Sequence, residues 1–315
     1  MPKVLVLGGT GFLGTHVVRA FDRSGCEVEI ASRRTGIDAR DAELISRFTT
    51  RCQPNIVVNC IQHGGGIAYN TRCPVAIFED NLITGFNALR AAVKAGAEKF
   101  VSIMGNSSYP GALKRHEESC WWDGPLHESV LASAMPRKAL WTQAWAYQKE
   151  FEFRSIHVVL PNMYGPGDHF EPERSHALAA LLRKIWEAKH SGIEQVEIWG
   201  TGKPVREWLY VEDAAEGIVC ATERHDGIEI LNIGRGEGQS ICELAEMIRE
   251  ILNWQGEFVY DTTRPDGAPV KTFDTVNMMT KLRWRPATSL QDGLRKTIDW
   301  FALQQGDRTA AAHNF

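Results

Sequence analysis

Val4-Leu5-Val6-Leu7-Gly8-Gly9-Thr10-Gly11-Phe12-Leu13-Gly14 decides the fold of this chain. Four apolar residues read as a buried strand, and the glycines after them set a turn that other residue types do not fit. Gly8 allows a tight exit from the strand, and Gly11 lets backbone approach a pyrophosphate. Gly14 lets the next helix pack closely, with its amide end towards the phosphates. The context agrees. A helix-like stretch, His16-Val17-Val18-Arg19-Ala20-Phe21, comes next, and a second strand, Glu27-Val28-Glu29-Ile30-Ala31, follows at βαβ spacing.

Working outward, Asn55 to Cys60, Lys99 to Ile103 and Ile156 to Leu160 are further strand-type runs, and the helix-like Asn81 to Ala95 separates the first two. Such alternation predicts a Rossmann-type, doubly wound parallel α/β sheet. Beyond Pro161 the pattern changes to loops, isolated helices and short strands, as expected of a smaller C-terminal mixed α/β domain that binds substrate. The expected division gives residues 1–161, with return segments near 203–235 that include Leu231-Asn232-Ile233, to the dinucleotide-binding domain. Residues 162–202 and 236–315 go to the substrate domain. The small, polar residues 307–315 read as a frayed end. A helix is expected from Pro136 to Glu150, because proline favours the first helical position.

Composition narrows the class of partner. The chain has 315 residues, 43% of them hydrophobic and 23% charged, which is ordinary for a globular protein. A net charge of -4 without a basic run argues against nucleic acid as the main partner. Seven scattered cysteines with no Cys-x-x-Cys pair read as reduced thiols of a cytoplasmic protein. The first strand begins at residue 3, leaving no room for a signal peptide, and no apolar run nears the roughly 20 residues that span a bilayer. No membrane partner and no metal site are expected.

The chain resembles the extended short-chain dehydrogenase/reductases that act on nucleotide sugars, most closely the GDP-L-fucose synthase branch. Besides the glycine turn, the resemblance rests on His63-Gly64-Gly65-Gly66-Ile67, Asn81-Leu82-Ile83, Pro161-Asn162-Met163-Tyr164-Gly165-Pro166, Ser175-His176 with Leu181-Leu182-Arg183, and Trp199-Gly200-Thr201-Gly202. It continues through Arg206-Glu207-Trp208-Leu209-Tyr210-Val211-Glu212-Asp213, Asn232-Ile233-Gly234 and Arg264-Pro265-Asp266-Gly267.

The resemblance implies a nicotinamide cofactor, a nucleotide-sugar substrate, GDP-linked by preference, and a homodimer. The turn residues Gly8, Gly11, Phe12, Leu13 and Gly14 would hold the dinucleotide. Asp38 resembles the adenine contact; its alternative is a loop aspartate capping the next helix. Ser32-Arg33-Arg34 stands where an acidic residue would hold a free ribose 2′-hydroxyl, and guanidinium groups suit a 2′-phosphate instead. NADP is therefore favoured, with NAD possible, although arginines at a strand end are often merely solvated. Asn162, Arg183 and Arg206 resemble the residues that orient and clamp the sugar diphosphate. Arginine's planar fork suits two phosphate oxygens, against a plain surface salt bridge for either arginine alone. Arg264 and Lys271 bracket a loop that in relatives closes over the nucleotide.

Two departures stand against these matches. The family uses a tyrosine as acid or base, with a lysine one helical turn later that holds the nicotinamide ribose. Lys138 matches that lysine, but Ala134 stands four residues earlier, followed by Met135, and none of the tyrosines at 69, 109, 147, 164, 210 and 260 has a lysine four residues on. The catalytic serine segment, Gly105-Asn106-Ser107-Ser108-Tyr109-Pro110, is one residue shorter than in fucose synthases, so Ser107 or Ser108 faces the substrate. The family's epimerisation cysteine is absent, while His176, matching its acid partner, remains.

His63, Tyr109, His127 and His176 are the candidates for the lost proton step, His176 foremost by resemblance. Three readings remain open. One is an NAD(P)-dependent nucleotide-sugar oxidoreductase or epimerase with an atypical acid/base. The others are a redox-silent binding protein, and the same fold acting on a non-sugar ligand. Trp121, Trp122, Trp141 and Trp145 cluster near the altered segment. Trp141 and Trp145, at i and i+4, read better as core or dimer contacts than as a ligand wall.

Overall fold

Strands β1 (Lys3–Leu7), β2 (Glu27–Ala31), β3 (Ile56–Asn59) and β4 (Lys99–Gly105) lie parallel in the computed structural model, which describes residues 1–306 apart from 173 and 265. The expected frayed end at 307–315 lies outside the described residues. Val4, Leu5, Val6 and Leu7 are wholly buried, as strands covered on both faces must be. The helices that follow are α1 (Phe12–Arg23), α2 (Ala42–Cys52), α3 (Ile67–Arg72), α4 (Pro74–Lys94) and α5 (Leu131–Phe151).

Two helices begin earlier than the sequence predicts. In α4, Pro74 occupies the first turn, where its missing N–H is no loss. In α5 the start is Leu131, fed by a single 3₁₀ turn at Glu128–Val130, so Pro136 lies inside the helix. Burial of Ser133 and Ala134 holds this extra turn.

After the short β5 (Arg115–His116), β6 (Arg154–Leu160) extends the large sheet beside β4. The second half builds the smaller lobe. There β7 (Asn162–Tyr164), α6 (Ala177–Ser191), β8 (Gln195–Trp199), β9 (Val205–Arg206) and β10 (Trp208–Tyr210) come in turn. Helix α7 (Val211–Arg224) and β11 (Ile230–Asn232) then return to the large sheet, whose order is β11-β6-β4-β3-β1-β2. Beyond them, β12 (Gln239–Ser240) and β14 (Val270–Phe273) flank β9, and β13 (Glu257–Asp261) pairs with β8.

Three of four buried clusters hold these layers. Val17 and Phe21 of α1 and Ile218 of α7 cover one face of the large sheet against Val4, Val6 and Val158. Ile45, Leu89 and Leu140 of α2, α4 and α5 cover the other against Leu5, Leu7 and Phe100. In the smaller lobe, Leu178 and Leu182 of α6 pack with Trp208, Leu244, Leu294 and Phe301. The chain turns opposite ways from β1 to reach β2 and β3, so the crevice beyond their carboxyl ends is where a ligand of this architecture binds. No helix among the described residues is long and apolar enough to cross a membrane, and no cluster there could hold a metal ion.

Glu207, between β9 and β10, ties the two lobes. Its fully buried carboxylate accepts from the backbone N–H of Phe273 at 2.7 Å, Arg235 at 2.6 Å and Gly236 at 3.0 Å. Glu207→Ala orphans all three donors at once. Each unsatisfied buried group costs about 1–3 kcal/mol, so the substitution is expected to lower stability by about 3 kcal/mol or more. A urea melt reads this directly, and an unchanged midpoint would contradict the clasp.

Candidate functional site

The glycine turn is shaped as a phosphate cradle. Gly8 has φ +77°, in the left-handed region, and a Cβ there would sit 3.1 Å from the Cys60 carbonyl carbon and the Ile61 nitrogen. A side chain at Gly14 would collide with the Gly8 carbonyl oxygen. Gly11 caps α1 without a side-chain bond and no acidic residue stands in the first turn. The amides of Phe12 and Leu13 therefore belong to an open helix end that attracts anions. This geometry fits a dinucleotide pyrophosphate.

The residues expected at the adenosine end lie close by. Arg33 and Arg34 are exposed on a single 3₁₀ turn after β2, which a Ser32–Thr35 capping box fixes. Arg34 reaches the Thr10 carbonyl at 3.5 Å, leaning over the glycine turn. Asp38 meets the guanidinium of Arg40 at 2.6 Å, and that hydrogen bond holds its carboxyl below the ordinary value. Asp41, not Asp38, caps α2, accepting from Glu43 and Leu44.

The end of β4 meets α5 through Arg137, a residue the sequence reading passed over. Its guanidinium donates to Ser107 Oγ at 2.8 Å, and Gly105 leaves it room, since a Cβ there would lie 2.8 Å from an Arg137 nitrogen. Among the described residues no carboxylate pairs with it. Burial alone lowers its pKa to about 10. A guanidinium in this state is costly unless an anion or a row of acceptors arrives to meet it. His176, at the start of α6, makes no capping bond and is open to solvent. Its imidazole is driven towards the neutral form by the surrounding protein, then by the charges of His169 and Arg137. Ser107 and Arg137 thus meet at the end of β4, with His176 near enough to feel the Arg137 charge.

The other candidates are otherwise engaged. Ser108 is buried, donating to the Gly105 carbonyl at 2.8 Å and accepting from Trp121 Nε1 at 3.0 Å. Lys138 lies about 100° round the helix from Arg137. Its ammonium donates to the Trp121 carbonyl and lies 4.2 and 4.1 Å from the Trp121 and Trp122 ring centres. Burial there lowers its pKa to about 8. The structure brings it to this tryptophan pair rather than to Ser107. Tyr109 is buried, donates to Asn232 Oδ1 at 2.7 Å and stacks on His116, and burial raises its pKa. His127 is exposed and bonds Ser129 at 2.9 Å. Trp141 packs on Trp121 and Trp122 and donates to the Ile228 carbonyl, while Trp145 is exposed.

In the smaller lobe Arg206 and Lys271 are partners in register across β9 and β14. Among the described residues Arg206 donates only to the carbonyls of Val205 and Ala268, at 2.8 and 2.7 Å. Burial lowers the pKa of both groups, and the charge of Arg206 depresses Lys271 further. Asp266 opposes the shift on Arg206 and is itself bonded to Thr201. Arg183 holds Glu187 at 2.9 Å but keeps its Nε buried without a partner. Asn162 donates to the Glu207 carbonyl at 3.1 Å. Arg264 is exposed, 3.5 Å from Asp261 and 5.1 Å from the Trp199 ring centre.

A phosphate cradle on a parallel sheet, facing a second lobe lined with cations, defines a dinucleotide-dependent enzyme fold. Residues 4–234 match the model of the NAD dependent epimerase/dehydratase family, and the chain belongs to that family. It is similar to GDP-L-fucose synthase 1 of Arabidopsis thaliana, at 33% identity over 300 residues that cover 95% of this chain and 93% of the relative. In fold it is similar to a GDP-6-OMe-4-keto-L-xylo-heptose reductase from C. jejuni, with TM-score 0.89 and 24% identity over 96% of this chain and 98% of that one. A GDP-L-fucose synthetase from Naegleria fowleri bound to NADP matches with TM-score 0.87 and 24% identity over 98% and 96%.

Proposed function

We propose that this enzyme reduces or epimerises a nucleoside diphosphate sugar, GDP-linked by preference, with NADP(H), as a cytoplasmic homodimer. The observation that carries the reading is the register pair of Arg206 and Lys271, two half-buried cations whose mutual repulsion a diphosphate relieves. Arg183, with its unpartnered Nε, and Asn162 complete the grip, and the more exposed Arg264 borders it. Similarity to GDP-sugar enzymes supports the guanine base.

NADPH, held by the glycine turn of Gly8 to Gly14, would supply hydride chemistry at a sugar carbonyl. Ser107 and Arg137 direct hydrogen bonds at the carbonyl oxygen, where negative charge develops. A guanidinium stabilises that charge without giving up its own proton. Lys138 holds the Trp121–Trp122 wall beside them. The atypical feature is therefore electrostatic: an arginine facing the serine, with the proton coming from elsewhere.

Mass spectrometry of ligands released by denaturing the purified protein tests the reading. It expects NADP(H) and a nucleoside diphosphate sugar; release of neither would count against it. For the cofactor, Arg33→Asp is expected to weaken NADP(H) by about 10- to 100-fold while leaving NAD(H) nearly unchanged, because only the former carries the 2′-phosphate. Fluorescence titration with both dinucleotides reads the difference. Equal losses would sink the arginine assignment.

A further inference from the structure

The family tyrosine is missing from α5, yet a phenol with its own proton relay stands on α3. We propose that Tyr69 is the acid/base that acts on the sugar oxygen, served by His63 and oriented by Asp80; this rests on the nucleotide-sugar reading above. Tyr69 Oη lies 2.8 Å from His63 Nε2, and His63 Nδ1 lies 2.8 Å from Asp80 Oδ2. Asp80 is braced by Arg40 at 3.4 Å from its other oxygen. Asn81 clamps the His63 backbone on both sides, accepting from its N–H at 2.8 Å and donating to its carbonyl at 2.7 Å. Tyr69, Asp80, Arg40 and Asn81 thus fix one imidazole between a phenol and a carboxylate.

Placement carries the rest. The relay grows from the loop after β3, at the carboxyl edge of the sheet, where the glycine cradle and Ser107 also lie. Gly65 makes room for the Tyr69 ring, since a Cβ there would lie 3.1 Å from it. Gly66 would press a Cβ to 2.8 Å from the Ser175 carbonyl oxygen, so this loop lies directly against the residue before His176. Helix α3 packs on the Glu128–Val130 turn, which opens the helix that carries Arg137. Tyr69 therefore comes from a segment that touches the residue before His176 and the turn that opens the helix carrying Arg137. It remains only half-buried.

The proton balance closes in both directions. In reduction, the Tyr69 O–H bond breaks and its proton joins the sugar oxygen, which holds the electron pair released from the carbonyl as the hydride arrives. The phenolate takes the Nε2 proton of a protonated His63, which is left neutral with its remaining proton on Nδ1, and a proton from solvent restores the imidazolium. In the reverse direction a neutral His63 accepts from Tyr69 as Tyr69 accepts from the sugar hydroxyl. Asp80, accepting from Nδ1–H, keeps Nε2 aimed at the phenol in either case, as a third group orients the base in other nucleophile–base pairs.

Kinetics and a spectroscopic measurement together test the relay. With a nucleotide sugar that the native enzyme turns over, Tyr69→Phe is expected to lower kcat by about 10²–10⁴-fold with KM unchanged. His63→Ala is expected to lower kcat as well, with partial rescue by added imidazole, which a purely structural histidine would not show. Independently of turnover, NMR of the NADP⁺-bound protein should show a low-field Nδ1 proton for His63 that is lost in Asp80→Asn and shifted in Tyr69→Phe. Unchanged kcat in Tyr69→Phe, or His63 signals blind to both substitutions, overturns the relay while leaving the nucleotide-sugar reading intact. A native protein that turns over no nucleotide sugar overturns both.

Discussion

Arg137→Met is expected to make the protein more stable and much less active. The guanidinium is half-buried beside Ser107 with no carboxylate partner among the described residues, so its partial desolvation is uncompensated until substrate arrives. Replacing an ill-compensated buried charge by an apolar side chain of similar length typically gains about 1–4 kcal/mol. Removing one donor aimed at a developing oxyanion costs about 10²–10³-fold in kcat. The two changes should appear together, as a raised thermal midpoint and a collapsed turnover. Arg137→Lys keeps the charge but not the planar fork and should fall between native and Met in activity. A variant that loses stability and keeps its turnover would show that Arg137 is a structural residue.

The second large effect belongs to Arg206→Ala. In the absence of a ligand, Arg206 and Lys271 repel each other across β9 and β14. Truncation removes a charge-assisted contact worth about 1.5–3 kcal/mol, so affinity for a nucleoside diphosphate sugar should drop by about 10- to 150-fold. Affinity for the dinucleotide should hardly change, because its cradle lies on the other lobe. The two cations share one partner, so Arg206→Ala with Lys271→Ala should lose less than the sum of the single losses. Calorimetry with GDP and UDP sugars measures all of these. Equal weakening of both ligand classes would mean that the substitution acts through the fold.

The large sheet was legible because its signals are local. β1, the glycine turn and α1 are consecutive, and the collisions at Gly8 and Gly14 give physical grounds for reading those glycines as a cradle. What was hard to read is non-local or depends on a helix's rotation. Counting from the missing tyrosine singled out Lys138. A one-residue step turns a side chain about 100° round a helix, and it is Arg137 that meets Ser107. The start of α5 was obscured by Pro136, a residue that favours first turns but here lies within the helix. The Arg206–Lys271 pair joins residues 65 apart through a strand pairing that no short motif announces. Tyr69 has no lysine four residues on, so no family motif marks it. Its partners stand 6 residues before it and, through His63, at Asp80. Asp80 drew no notice, being one carboxylate among 39 acidic residues.

The most direct test of the central claim is to incubate the native protein with NADPH and GDP-4-keto-6-deoxymannose, alongside a panel of other keto nucleotide sugars, and to follow NADPH oxidation and product mass together. At least one nucleotide sugar is expected to gain two hydrogens in step with NADPH oxidation, at a rate that Arg137→Met lowers by about 10²-fold or more. Tight binding of NADP(H) and of nucleotide sugars with no hydride transfer to any of them would contradict it.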